Sequence, residues 1–212
     1  MNAARAQLGR PVGASGERTR ARIITASMRC VAEVGYSQAT IREIAKAADM
    51  TSGSLYHYFP NKSELLTATV REIDEIALPR LRAAAAHSDD VVDRLEAVLD
   101  ELGTLLREYP HLAAFERAMR GHAGLKGLRD TIDDIVRDAQ ARGALPPGTD
   151  PGAAVNAIYA LARGLTDRAT NLAPAAYVAT LESAKELLRG TLFAPRASRR
   201  ASTAQRRSRR SP

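Results

Sequence analysis

The sequence predicts an all-α fold of about nine helices, a three-helix head followed by a longer helical body. Three observations carry this. Ala and Leu dominate the 45% hydrophobic content while aromatic residues make up only 4%, a composition that favours helix over sheet. Apolar residues recur at three- and four-residue spacing through most of the chain. The periodic segments are bounded by Thr, Asn or Asp at their starts and by Gly or Pro at their ends.

Composition narrows the class further. A chain of 212 residues holds one large domain or two small ones. No apolar run approaches the ~18 residues that a membrane span needs, and residues 1–20 lack the apolar core of a signal peptide. The single cysteine, Cys30, cannot form an internal disulfide. Together these predict a cytoplasmic protein with no membrane contact. The net charge of +7 is unevenly placed: residues 1–62 carry +5, residues 63–193 carry −5, and residues 194–212 carry seven arginines and no acid. A basic head suits a polyanion, and an acidic body should stay off it.

In chain order, residues 1–16 are rich in Gly, Pro, Ala and Ser and are expected to be a disordered basic arm. It is either an inert leader or a source of phosphate or minor-groove contacts through Arg5 and Arg10. Helix one is expected over 17–34, with Ile23, Ile24, Ser27, Cys30, Val31 and Val34 buried and Gly35 as its stop. Arg18, Arg20 and Arg22 crowd its start, against the macrodipole. Phosphate contact and a solvated basic face are both open readings of these three.

Residues 40–59 hold the most informative stretch. Thr40 and Glu43 have capping-box spacing, and Ile41, Ile44, Ala45 and Ala48 give one apolar face. Asp49 and Met50 break the pattern. Thr51 caps a second short helix over 52–58, which Pro60 ends. Asn61 and Glu64 make another start signal. Two helices of about two turns joined by a few residues form a helix-turn-helix. The second presents Ser52, Gly53, Ser54, Tyr56 and His57, with no carboxylate among them. Glycine and small hydroxyls permit close approach to DNA, and hydroxyl and aromatic groups reach phosphates or a thymine methyl. Thr40 and Thr51 complete the predicted DNA-binding set, with Lys62 as a phosphate anchor that adds affinity without base selectivity. Tyr58 and Phe59 are expected to pack inward.

These residues resemble a known family. Gly35-Tyr36, Ala39-Thr40-Ile41, Glu43-Ile44-Ala45, Thr51, Gly53, Leu55 to Phe59, Lys62 and Leu65-Leu66 are similar to the DNA-binding domain of the TetR (tetracycline-repressor) family of bacterial regulators. The resemblance covers residues 17–77. Cys30 and Val31 depart from it, standing where the family has a larger aliphatic residue and a phenylalanine.

Helix four is expected from Asn61, with Leu65, Leu66, Val70, Ile73 and Ile76 apolar and with Pro79 bending or interrupting it. The body then offers an apolar stripe from Val92 to Leu106, a turn at Tyr109-Pro110, a short helix over 110–119, a helix around Leu128 to Ala139, and two last helices over 150–172 and 174–192. Asp150 with Pro151 is an N-cap followed by proline at the first helical position. The last two helices are more apolar than packing on one neighbour requires, which predicts a homodimer interface. The resemblance implies the same use of these helices, and it implies that 78–193 is a ligand-binding and dimerisation domain. Tyr109, Phe115, Met119, Asn156 and Tyr159 are its candidate lining residues, with Arg117, Arg120 or Arg163 as anchors for an acidic group. The tail from residue 194 is expected to be disordered, either as a solvated segment, as a non-specific DNA contact or as a membrane-surface contact.

The function this predicts is a ligand-responsive repressor that binds double-stranded operator DNA as a homodimer and is released by a small, hydrophobic effector. A ligand-independent architectural DNA binder is the alternative. An enzyme is not expected, nor is a cofactor or a metal: the four histidines form no metalloprotease motif, and there is no glycine-rich phosphate loop or nucleophile elbow. His111, Glu116 and His122 fit no common metal-ligand spacing.

Overall fold

The structure, a computed structural model, describes residues 12–122 and 126–194. Among these, the secondary structure is nine α-helices and no strand. They are α1 (Val12–Gln38), α2 (Ile41–Ala47), α3 (Ser52–Tyr56), α4 (Lys62–Ala85), α5 (Val91–Glu108), α6 (Leu112–Ala118), α7 (Gly127–Ala141), α8 (Pro151–Ala169) and α9 (Pro174–Leu188). The chain divides into two compact units. One takes Met1–Ile73 and Ala114–Leu125, the other Asp74–Ala113 and Lys126–Pro212. Both α4 and α6 therefore contribute to each unit.

In the first unit, α1, α2, α3 and the first half of α4 enclose Ile23, Val31, Ile44, Leu55 and Leu65, all with no exposed surface. Phe115 and Met119 also lie fully buried in this unit. Helix α1 begins at Val12, so the disordered arm expected to residue 16 is helical over its last five residues; residues 1–11 lie outside the described part. No proline follows Val12 before the expected start, and extending an existing helix adds one bond per residue. Arg18, Arg20 and Arg22 consequently lie past the first turn, where the dipole effect has faded. Gly35 ends the regular helix as expected, at φ 82°. Val34, expected in the core, is exposed because it sits at this break, one turn beyond the buried Cys30 and Val31.

In the second unit, α5 is the central helix. Leu95, Val98, Leu99, Leu102, Leu105 and Leu106 are buried along it, worth on the order of 10 kcal/mol of apolar burial as an upper bound. A Cβ at Gly103 would stand 3.2 Å from Leu181 Cδ2, so the glycine lets α9 come close. Two charged ties also join α9 to α5. Lys185 Nζ donates to Asp100 at 2.9 Å, and Arg189 pairs with Glu96. Helix α4 runs through Pro79, so the interruption expected there as the alternative to a bend does not occur. Pro79 is exposed, so solvent can take the place of the N–H that proline lacks. Just after it, Arg80 pairs with Glu101 and Glu108 of α5. Among the described residues no helix is long and apolar enough to cross a membrane.

Candidate nucleic-acid interface

Helix α2 is fixed at both ends by local chemistry. The Glu43 N–H donates to Thr40 Oγ1 at 3.2 Å, while Glu43 Oε2 accepts from both the Thr40 N–H and the Thr40 hydroxyl at 2.9 Å. At the other end Asp49 adopts φ 53°. The Met50 N–H returns to the Ala45 carbonyl at 2.9 Å and the Asp49 N–H to that of Lys46 at 3.1 Å, the double bond pattern of a Schellman stop. Arg29 of α1 adds a bond to the Ala47 carbonyl at 3.1 Å.

The stop delivers the chain to Thr51. Its Oγ1 accepts from the Ser54 N–H at 3.1 Å and its hydroxyl donates to Ser54 Oγ at 2.9 Å. Helix α3 has one inward anchor, Leu55, with no exposed surface. Thr51, Gly53, Ser54, Tyr56 and His57 are exposed and Ser52 is half-buried. Sequence reasoning assigned both Tyr58 and Phe59 to the core. Phe59 is buried with the Arg20 guanidinium 5.0 Å from its ring centre, whereas Tyr58 is 38% exposed. Helix α3 ends at Tyr56, so His57 and Tyr58 sit in a turn and only the second aromatic of the pair reaches the core.

Two acids near α3, Glu43 and Glu64, are occupied, while Asp49 just before it is exposed. Glu43 closes the α2 cap, and Glu64 accepts from the Asn61 amide at 2.9 Å while Asn61 caps α4 through the Glu64 N–H, also at 2.9 Å. No carboxylate stands between Asp49 and Glu64. Lys62 is half-buried. Its ammonium donates to the Tyr36 carbonyl at 2.7 Å and lies 4.5 Å from the Tyr36 ring centre. An ammonium has three donors, so this bond leaves it capacity for a phosphate. The role of Tyr36 was not read from the sequence, because a partner 26 residues away leaves no local signal.

A family model described as bacterial regulatory proteins, tetR family, matches residues 23–69, from the buried face of α1 into the first turns of α4. Over those residues the chain matches the tetR family of bacterial regulatory proteins. It is 40% identical over 84 residues to the HTH-type transcriptional regulator BetI of Stenotrophomonas maltophilia, an alignment covering 38% of this chain and 42% of that one. The chain thus spans about two-fifths of that relative's length. It is 29% identical over 137 residues to the transcriptional regulator UidR of Escherichia coli, covering 61% and 70%. Among solved structures, FadR of Bacillus subtilis in complex with stearoyl-CoA superposes with a TM-score of 0.70 at 24% identity, covering 81% of this chain and 98% of that one. A likeness of that degree establishes a shared fold.

The five predicted ligand-lining residues and the anchor Arg163 divide between the units. Asn156, Tyr159 and Arg163 share one side of α8. Arg129 of α7 joins them, donating to Asn156 Oδ1 at 2.9 Å, and both guanidiniums lie over the Tyr159 ring at 5.3 and 5.7 Å. Tyr109 is the C-cap of α5 in the same unit. Phe115 and Met119 belong to the first unit. Met119 borders an open cavity of about 260 Å³ there, with Tyr36, Ser63, Leu66, Thr67 and His122. Arg129 was missed because its distance from Asn156 in sequence hides the pair. Among the described residues, no group of three or more His, Cys, Asp and Glu is placed to hold a metal ion.

Proposed function

We propose that this chain is a cytoplasmic, homodimeric regulator of transcription that binds a palindromic operator and is released from it by a small effector. The observation that carries the DNA half is the doubly capped α2–α3 pair, whose second helix and the turn after it present hydroxyls, a glycine and two aromatic rings, with no carboxylate between Asp49 and Glu64. We assign the DNA contacts to Thr40, Thr51, Ser52, Gly53, Ser54, Tyr56, His57 and Lys62. The first residues of α3 approach the bases, and Lys62 holds a phosphate. Thr40 and Thr51 have hydroxyls engaged in caps, so their part is to set the pose of the two helices.

Exposed apolar side chains on α9, Val178 and Leu187, support dimerisation through the last two helices. Small exposed residues on α8, among them Ala157, Ala160 and Gly164, would admit a partner helix closely. Arg129 and Arg163 around Tyr159 suit an effector with an acidic group, and stearoyl-CoA, bound by the Bacillus subtilis FadR, is the first compound to try.

Selection of duplexes from a randomised pool tests the first half. Enrichment of a two-fold symmetric sequence is expected, and a pool that stays random would overturn the DNA assignment. Titrating the selected complex with stearoyl-CoA tests the second. Release is expected, and a complex indifferent to acyl-CoA would remove that effector class while leaving the DNA half standing.

A further inference from the structure

The first unit holds a cavity that the assigned DNA contacts do not use. It measures about 260 Å³ and is lined by Tyr36, Ser63, Leu66, Thr67, Met119 and His122. Leu66 and Met119 are buried and supply its apolar surface, and the Met119 thioether favours contact with an aromatic ring. Tyr36 and His122 supply two rings already stacked on each other, with centroids 3.5 Å apart and planes tilted by 31°. At about 30 Å³ for each water in the liquid, the space equals about nine waters. It suits one substituted ring and is too small for an acyl-CoA.

The polar groups at this cavity are unspent. Ser63 and Thr67 stand one turn apart on α4, and among the described residues neither hydroxyl has a partner. Thr67 differs in this from other helical threonines. Thr25, Thr69, Thr104, Thr131, Thr166 and Thr180 each donate to the carbonyl four residues earlier, the usual local outlet for such a hydroxyl. Two hydroxyls therefore remain to donate to whatever enters. His122 adds an acceptor. Its Nδ1 lies 3.2 Å from the Arg120 carbonyl, which can only accept, so Nδ1 carries the proton and Nε2 of the neutral ring is the open position. No carboxylate lines the cavity, and the Lys62 ammonium stands 4.5 Å from the Tyr36 ring centre. These surroundings favour an anion over a cation.

We propose that this cavity binds a single-ring aromatic acid, of which a hydroxybenzoate is the simplest probe. The ring lies against Tyr36, His122 and Met119, the carboxylate takes the Ser63 and Thr67 hydroxyls, and a ring hydroxyl donates to His122 Nε2. The site is separate from the arginines around Tyr159, which belong to the second unit. A carboxylate held here puts negative charge near the ammonium assigned to a DNA phosphate, and the two anions oppose each other. The ligand is thus an effector that acts within the DNA-binding unit. That last step rests on the function proposed above; the binding site does not.

Nuclear magnetic resonance of the full chain with isotope-labelled methionine methyls tests it. Met119 reports on the cavity, and Met28 and Met50, which do not line it, serve as controls. With para-hydroxybenzoate the Met119 methyl should shift saturably, with a Kd below about 1 mM, while Met28 and Met50 stay in place. Cyclohexanecarboxylate, an acid of similar size without the aromatic ring, should bind about tenfold more weakly or worse. Thr67→Val and His122→Ala, both at exposed positions, should each raise the Kd about tenfold, and Thr67→Ser should restore it. A Met119 methyl unmoved at about 10 mM probe, equal binding of the saturated acid, or an unchanged Kd in both variants would overturn the site. In duplex titrations the probe should lower affinity for the selected duplex about fivefold or more in the wild-type chain and not in Thr67→Val. A bound probe that leaves that affinity unchanged would overturn the effector role. Should the wild-type chain select no duplex, the DNA reading fails and the methyl shifts still decide the site.

Discussion

The Lys62 ammonium donates to the Tyr36 carbonyl at 2.7 Å, and the ring of the same tyrosine stacks on His122 with centroids 3.5 Å apart. Tyr36 therefore joins the end of α1, the first residue of α4 and the end of the 114–122 segment, all within the first unit. Lys62→Ala is expected to act twice. Loss of a charged hydrogen bond should lower stability by about 1–2 kcal/mol, read as a shift of the urea midpoint. Loss of a phosphate contact should weaken binding to selected and scrambled duplexes alike and reduce the salt slope by about one unit. A changed base preference with an intact salt slope would show that Lys62 does not hold a phosphate.

Asp49 is a non-glycine residue in left-handed backbone, at the position where a Schellman stop ordinarily takes glycine. Asp49→Val should lower stability by about 1–2 kcal/mol, because a β-branched side chain clashes there. Asp49→Gly should be neutral or stabilising. Equal melting curves for the two variants would mean that the turn can adopt another geometry.

The helix-turn-helix was legible in the sequence because its determinants are local. Thr40 with Glu43, Thr51 with Ser54, and Asn61 with Glu64 are each three residues apart, and each forms the bond its spacing implies. The predicted body helices stand near their expected limits for the same reason. What the sequence did not disclose is long-range. Tyr36 with Lys62, Arg29 with Ala47, Arg129 with Asn156 and Asp74 with Gly127 are separated by 18 to 53 residues. Periodicity also could not say which apolar residues face the chain's own core. Of the apolar residues on the last two helices, Leu165 and Leu181 are buried within their own chain, while Val178 and Leu187 are exposed.

That distinction separates two sets of variants. Val178→Glu combined with Leu187→Glu should give a folded chain that sediments near the 22.8 kDa chain mass, where the wild type should sediment at about twice that mass. Leu165→Glu or Leu181→Glu should instead unfold the second unit, since a buried unpaired carboxylate is strongly destabilising. A folded Val178→Glu/Leu187→Glu chain that remains dimeric would move the interface elsewhere.

Acid should loosen the second unit. The bond from Arg80 holds the Glu108 carboxyl below its ordinary 4.5. Asp138 is held below its ordinary 3.8, first by its bond from Arg94 and then by Arg142. A depressed folded pKa means that the unfolded state binds more protons, so the stabilisation is full above the ordinary values and disappears as pH falls through the folded ones. The melting temperature should drop below about pH 4.5, with a shallower drop in Glu108→Gln. Lys185 has the opposite sign. Burial alone would lower it, but bonds to Glu182 and Asp100 outweigh that and raise it above its ordinary 10.5. Its contribution is complete below that value and is lost as pH rises through the folded one.

Gly53 separates stability from recognition. It lies in the first turn of α3 and is exposed, and a Cβ added there would meet nothing closer than Thr51 Oγ1 at 4.0 Å. Its φ is not in the left-handed range. Nothing inside the chain therefore calls for glycine at this position, and Gly53→Ala should raise stability by about 0.5–1 kcal/mol, since alanine loses less backbone freedom on forming a helix. If the glycine is there to let the backbone come close to DNA, the same methyl must stand between α3 and the duplex. Affinity for the selected operator should then fall about tenfold or more while the melting temperature rises. Ser54→Ala is the companion variant: it leaves the Ser54 N–H bond to Thr51 in place and removes the hydroxyl together with the bond that it accepts from Thr51. Thermal melting and duplex titration on the same preparations read both quantities. Gly53→Ala with higher stability and unchanged operator affinity would show that DNA does not approach this turn, and the reading surface would have to be sought further along α3, at Tyr56 and His57.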